Sequence, residues 1–263
     1  TYLLMKKKGV IRVASFGFYG DAASTDTDYL LALRGETRER VLENRSSFEE
    51  YRRGRAVVRG VRNETIGSGS DLIGLCQVFD NSIPLPPFFP FGRNQDTLFS
   101  HTLKYCYPSS LISYIPLIVK HDPSEDRSRF LKSHGLQAPG ISHMLLFSLH
   151  EFWQNVHHYS HESYTRQLGS FLQHIGSLKT ASFSEYYQHV WRTLLSNKIS
   201  FLNMLLEVYR YKPSFWATEI ERLVDDTFGL LTNETAPIPE ELQHIKPSQN
   251  AMTVFQHAVH NFG

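Results

Sequence analysis

The stretch PPFFPFGRNQDTLFSHTLKYCYP, residues 86–108, decides how the first half of this chain folds. Three prolines and three phenylalanines lead into a polar segment, and an apolar pattern with helical spacing begins immediately after it. Proline fixes the backbone φ angle, so this entry is stiffer than an ordinary loop. The pattern predicts a helix over residues 95–105, preceded by a rigid segment that holds Arg93, Asn94, Gln95 and Asp96 in place.

The residues on either side of this stretch alternate between strand and helix patterns. Residues 9–19, 55–61, 71–79 and 109–119 are rich in β-branched, aromatic or other apolar side chains, which favours strands. Residues 36–54 carry opposite charges at helical spacing, which is typical of a solvated helix, and the pattern is broken near Ser46 and Ser47. Such alternation favours an α/β or α+β layer over a sandwich or a barrel.

The pattern changes after Asp126, where β-branched clusters become rare and apolar residues recur at helical spacing. Residues 138–159, 163–177, 182–210, 214–231 and 249–260 are predicted to be helices. The sequence therefore predicts an α/β (mixed α+β) fold. It consists of a sheet layer over residues 1–124 and a mainly α-helical region over residues 125–263.

Composition limits the classes of partner. The 27 basic and 26 acidic residues leave a formal net charge of +1, so no overall field favours nucleic acid. The longest apolar runs fall short of the roughly 20 residues that cross a bilayer, so we expect no integral membrane segment. Two cysteines without metal-ligand spacing suggest reduced thiols and a cytoplasmic location, with peripheral attachment to a membrane left open. The beginning, TYLLMKKK, does not resemble a natural start and suggests a piece of a longer protein.

Asp96 is the first candidate for chemistry. A carboxylate in the first turn of a helix faces backbone N–H groups and the positive end of the helix dipole, which favours its ionised form. Such a residue either caps the helix or acts as a base, and Arg93 places a cation beside it. The second candidate is His121 with Asp122, at the end of the last predicted strand, where imidazole and carboxylate are suitable ligands for a metal ion.

Two further patterns are weaker. The segment Asp26-Thr27-Asp28 is a literal DxD, but it follows a Ser-Thr loop, so we interpret it as a turn or cap and leave any metal role open. His157, His161 and Glu162 belong to a histidine-rich stretch that lacks the HExxH spacing of a zinc protease.

Taken together, FDNSIPLPPFFPFGRNQDTLFSHTLKY and the later IVKHDP resemble the second, acceptor-side half of bacterial glycosyltransferases of the A fold. The resemblance covers roughly residues 9–124 and implies a partial glycosyltransferase-A sheet layer with a helical C-terminal extension. The family usually has an acidic residue where this chain has Gln95, and its nucleotide-binding first half is not visible upstream.

The resemblance implies an inverting, metal-assisted transfer from a nucleotide-sugar donor to an unknown acceptor. Asp96 would be the base that activates the acceptor, Arg93, Asn94 and Gln95 would bind substrate or phosphate, and His121 and Asp122 would bind Mn²⁺ or Mg²⁺. The alternative is a non-catalytic α/β and helical module that binds a protein or glycan partner, with Asp96 as a cap. Neither the donor sugar nor the oligomeric state follows from the sequence.

Overall fold

The structure is a computed structural model. It describes residues 9–21, 28–54, 56–68, 72, 76–90, 92, 94–122, 140–155, 161–233 and 235–263.

The described strands form one curled, mixed sheet. They are β1 (Val10–Asp21), β2 (Ala56–Arg59), β3 (Thr65–Gly67), β4 (Gln77–Phe79) and β5 (Ser110–His121). The two long strands, β1 and β5, lie side by side in parallel, whereas the short strands join antiparallel at their outer edges. The order is β2-β1-β5-β3, with β4 also paired to β1.

The described helices are α1 (Gly35–Val41), α2 (Arg45–Arg53), α3 (Gln95–Cys106), α4 (Ile141–Asn155), α5 (His161–Gly176), α6 (Thr180–Val208), α7 (Ser214–Leu231) and α8 (Ser248–Phe262). Two short 3₁₀ turns cover Asp28–Ala32 and Glu240–Leu242. No helix in the described part of the chain is long and apolar enough to cross a membrane.

The sheet has an open edge along the second half of β5. The edge of β5 away from β1 pairs with β3 only at residues 112–114, and among the described strands none pairs with this edge beyond Tyr114. A register shift lies between Phe16 and Gly17 of β1, opposite Pro116 and Leu117 of β5. Proline cannot donate a ladder hydrogen bond, so an irregularity of this kind is where a strand tolerates it.

Helix α3 lies at the centre of the molecule and is buried on both sides. Phe99 and Leu103 pack with Val13 and Ile112 of the sheet, whereas Leu98 belongs to the large core formed with the C-terminal helices. A helix that is apolar on opposite faces needs cover on both, and the sheet and the helical layer supply it. The start of α3, where Asp96 lies, is therefore fixed by packing on two sides.

The hydrophobic cores cross the predicted boundary between residues 124 and 125. One core joins α3 to α4, α5, α6 and α8, and a second joins Leu31, Leu42 and Phe48 to Leu202 and Trp216 of the helical region. The helices therefore pack directly on the first region through apolar side chains.

The predicted fold class, a mixed α+β layer followed by a mainly helical region, is confirmed. The charged segment is two helices, as expected, but the break lies at residues 42–44, because the Asn44 side chain accepts a hydrogen bond from the Ser47 N–H and caps α2. Strand β3 was not expected, and only Gln77–Phe79 of the predicted strand over residues 71–79 is described as a strand.

Candidate functional site

Aromatic contacts hold the proline-rich segment before α3 in place. The Phe88 ring stacks on Phe99 of α3, with ring centroids 4.3 Å apart and an angle of 8° between the planes. The next residue, Phe89, is only 1% exposed and meets Phe262 edge to face. These two neighbouring rings bind the segment to α3 on one side and to the C-terminal helix on the other. The segment is thus stiffened by packing as well as by proline.

The backbone then turns sharply into α3. Gly92 has φ 76° and Asn94 has φ 61°, which is the left-handed region that only glycine and, less often, asparagine adopt easily. Asn94 is the residue before the helix, and its side chain makes no capping hydrogen bond. Instead, Oδ1 of the half-buried Asp96 accepts the Thr97 N–H at 2.9 Å. Asp96 therefore satisfies part of the helix start while keeping some contact with solvent.

A second carboxylate lies against this turn. A Cβ atom added to Gly92 would be 3.0 Å from Oε1 of Glu241, and one added to Gly140 would be 2.6 Å from it. The Oε2 atom of Glu241 is buried and has no hydrogen-bond partner within the described structure. Two glycines thus make room for a buried acceptor beside the segment that delivers Asp96. Sequence analysis missed Glu241, because it lies in a turn region far along the chain and no local pattern marks it.

The close contact between Gly92 and Glu241 gives a testable prediction. We expect Gly92→Ala to lower the free energy of unfolding by about 1–3 kcal/mol, because the alanine would adopt a left-handed conformation and crowd the Glu241 carboxylate. Urea unfolding monitored by circular dichroism measures the effect.

Gly229 provides the matched control. It lies in α7 with nothing within 4 Å of an added Cβ, so Gly229→Ala should raise stability by up to about 1 kcal/mol. Equal stability of the Gly92→Ala and Gly229→Ala variants would contradict the described turn.

His121 and Asp122 lie at the end of β5, and their side chains make separate contacts. Nδ1 of His121 lies 2.7 Å from the Asp21 carbonyl oxygen at the end of β1. Asp122 is exposed and forms an ion pair with Lys120, with Nζ and Oδ2 2.8 Å apart, and this hydrogen bond lowers the pKa of Asp122. Successive side chains along a strand point to opposite faces, so the Lys120–Asp122 pair and the imidazole of His121 are on different sides of the sheet.

His121 and Asp122 are also distant from Asp96 along β5. Ile112 of β5 packs beside Phe99 of α3, and Asp96 is about one helical turn from Phe99. His121 is nine residues beyond Ile112 in sequence. At about 3.3 Å per strand residue, these nine residues span roughly 30 Å, so His121 lies far along β5 from the residues that pack on α3.

The described residues do not make a metal site by themselves. They include no group of three or more His, Cys, Asp or Glu side chains that could hold an ion together. His121 contacts the Asp21 carbonyl oxygen and Asp122 pairs with Lys120, so the two side chains have separate partners. We therefore derive no chemical step through a metal ion.

Several predicted residues lie outside the described part of the chain. Arg93 is one, and Asp26, Thr27 and His157 are others. Asp28 begins a 3₁₀ turn and His161 begins α5 with Glu162, but their side chains are likewise outside it. The structure thus describes Asp96, Asn94 and Gln95 of the central cluster.

Comparison of this chain with protein-family models, with curated proteins and with solved structures gives no match.

Proposed function

We propose that this chain is a nucleotide-sugar-dependent glycosyltransferase, or the C-terminal part of one, with Asp96 as the base that activates the acceptor. The observation that carries the proposal is the way the chain presents Asp96. A packed, proline-rich segment with two left-handed residues delivers this carboxylate to the first turn of a helix buried on both sides. A general base must be held within hydrogen-bond reach of its proton, and such rigid placement serves that purpose.

The proposed reaction is a single displacement that inverts the anomeric carbon. The acceptor oxygen forms a bond to that carbon while the bond to the leaving phosphate oxygen breaks, and its electron pair departs with the nucleoside diphosphate. Asp96 takes the proton of the acceptor hydroxyl. Asn94 and Gln95 offer amide groups for hydrogen bonds to substrate or phosphate, and Arg93 offers a cation for the diphosphate.

The helix start supports this role for Asp96. The Thr97 N–H donates to Oδ1 of Asp96 and so fixes the orientation of the carboxylate.

Calorimetric titration with nucleotide sugars, in the presence and absence of Mn²⁺, tests donor binding. We expect saturable heat from at least one common donor. An absence of heat from every donor would count against the transferase.

The open end of the sheet favours a second candidate, the non-catalytic binding module. Leu117 and Ile118 of β5 are 58% and 53% exposed, and no described strand pairs with the outer edge of β5 beyond Tyr114. An edge with unpaired backbone groups and apolar side chains suits an added strand of a protein partner. The two candidates differ in the donor titration, because a binding module gives no heat with nucleotide sugars.

A further inference from the structure

Arg38 of α1 is a buried cation between two aromatic rings. Arg38 is only 7% exposed. Its guanidinium carbon lies 4.1 Å from the centre of the Tyr209 ring and 4.7 Å from the centre of the Trp216 ring. The two rings are nearly perpendicular to each other, at 84°. They connect α1 to the start of α7 and to the segment before it.

The hydrogen bonds of Arg38 are incomplete. Nη2 donates to the Tyr211 carbonyl oxygen at 3.1 Å, whereas the buried Nε has no acceptor. No carboxylate forms an ion pair with Arg38 in the described part of the chain. Arg52, in the next helix, shows the contrast, because it is paired with Glu219 at 2.8 Å.

A buried charge is costly, because the ion has been removed from water. The two cation–π contacts offset part of this cost. Burial lowers the pKa of Arg38, and no carboxylate of the described residues pairs with it. A bound anion would stabilise this buried cation further.

The surface around Arg38 carries further positive charge. Arg34 lies one helical turn before it, and exposed Arg210 and Lys212 flank the Tyr211 carbonyl that accepts its hydrogen bond. The acidic residues of α1, Glu36 and Glu39, are two and one positions away and so face other directions. Three exposed cations therefore lie on the segments next to this guanidinium.

We propose that Arg38, with Arg34, Arg210 and Lys212, forms a binding site for the phosphate group of a small molecule. The guanidinium donates hydrogen bonds to phosphate oxygens, and the three exposed cations neutralise the rest of the charge. This site is separate from Asp96 and does not depend on the proposed transferase.

Titration of the whole chain with inorganic phosphate, phenyl phosphate and acetate at constant ionic strength tests the site. We expect a saturable shift of the Arg38 Nε–H signal in the NMR spectrum, with phosphate at least tenfold tighter than acetate. Above the Kd, each tenfold rise in phosphate should lower the unfolding constant about tenfold. Arg38→Met keeps the apolar length of the side chain and should abolish both effects, whereas Arg40→Met, on an exposed position of the same helix, should retain them.

If Arg38→Met does not fold, the Arg38 Nε–H signal of the wild-type protein still tests the site. Arg38→Lys then serves as the second variant, and we expect it to bind phosphate more weakly than the wild type. An unmoved Arg38 signal would show that the cation is purely structural and would overturn the proposal. An equal phosphate response in Arg38→Met, or acetate binding as tightly as phosphate, would overturn it as well.

Discussion

Asp96→Asn is expected to lower the rate of glycosyl transfer by about 100- to 10,000-fold, the usual contribution of a general base. Asparagine keeps the shape of the side chain, and its amide oxygen can still accept the Thr97 N–H, so the start of α3 should survive. Donor affinity should change little, because the proton moves only in the chemical step. Initial rates with saturating donor and acceptor, together with circular dichroism, measure the effect.

Asp225→Asn is the matched control for loss of a carboxylate. Asp225 is exposed on α7, far along the chain from the proposed site, and its replacement should leave the transfer rate unchanged. If a folded Asp96→Asn variant turns over at the wild-type rate, Asp96 is not the catalytic base and serves only as a helix cap.

Trp216→Ala should lower the free energy of unfolding by about 3–5 kcal/mol, the range for deleting a buried tryptophan. Trp216 is fully buried in the core that joins α1 and α2 to α6 and α7, and its Nε1 donates to the Leu31 carbonyl oxygen. The substitution removes the ring, this hydrogen bond and one wall around Arg38. Chemical denaturation gives the magnitude.

Phe228, on the same helix, is 58% exposed, so Phe228→Ala should change stability by less than about 1 kcal/mol. Similar losses from the two substitutions would mean that α7 does not pack on the first region as described.

The elements around the candidate site were predictable because their signals are local. The apolar spacing after residue 95 predicts α3 almost to its ends, and the apolar run from Ser109 predicts β5. The five C-terminal helices differ from their predicted ranges only near the ends. In a long amphipathic helix the apolar spacing repeats over several turns, so a single sequence is enough to predict the helix.

The remaining features depend on contacts between distant parts of the chain. Strand β3 has three residues, too few for a pattern, and it exists because β5 offers an edge. Glu241 reaches Gly92 across 149 positions of sequence (241 − 92), and Arg38 meets Tyr209 and Trp216 across a similar span. His121 and Asp122 are neighbours in sequence, but their side chains contact different partners, Asp21 and Lys120. Adjacent residues at a strand end therefore need not act on the same ligand.

The release of nucleoside diphosphate from nucleotide sugars by the wild-type protein tests the central claim most directly. We expect release from at least one common donor in the presence of Mn²⁺ or Mg²⁺ and a glycan acceptor mixture, and a much slower release by Asp96→Asn. No release from any donor, or equal release by the wild type and Asp96→Asn, would contradict the account.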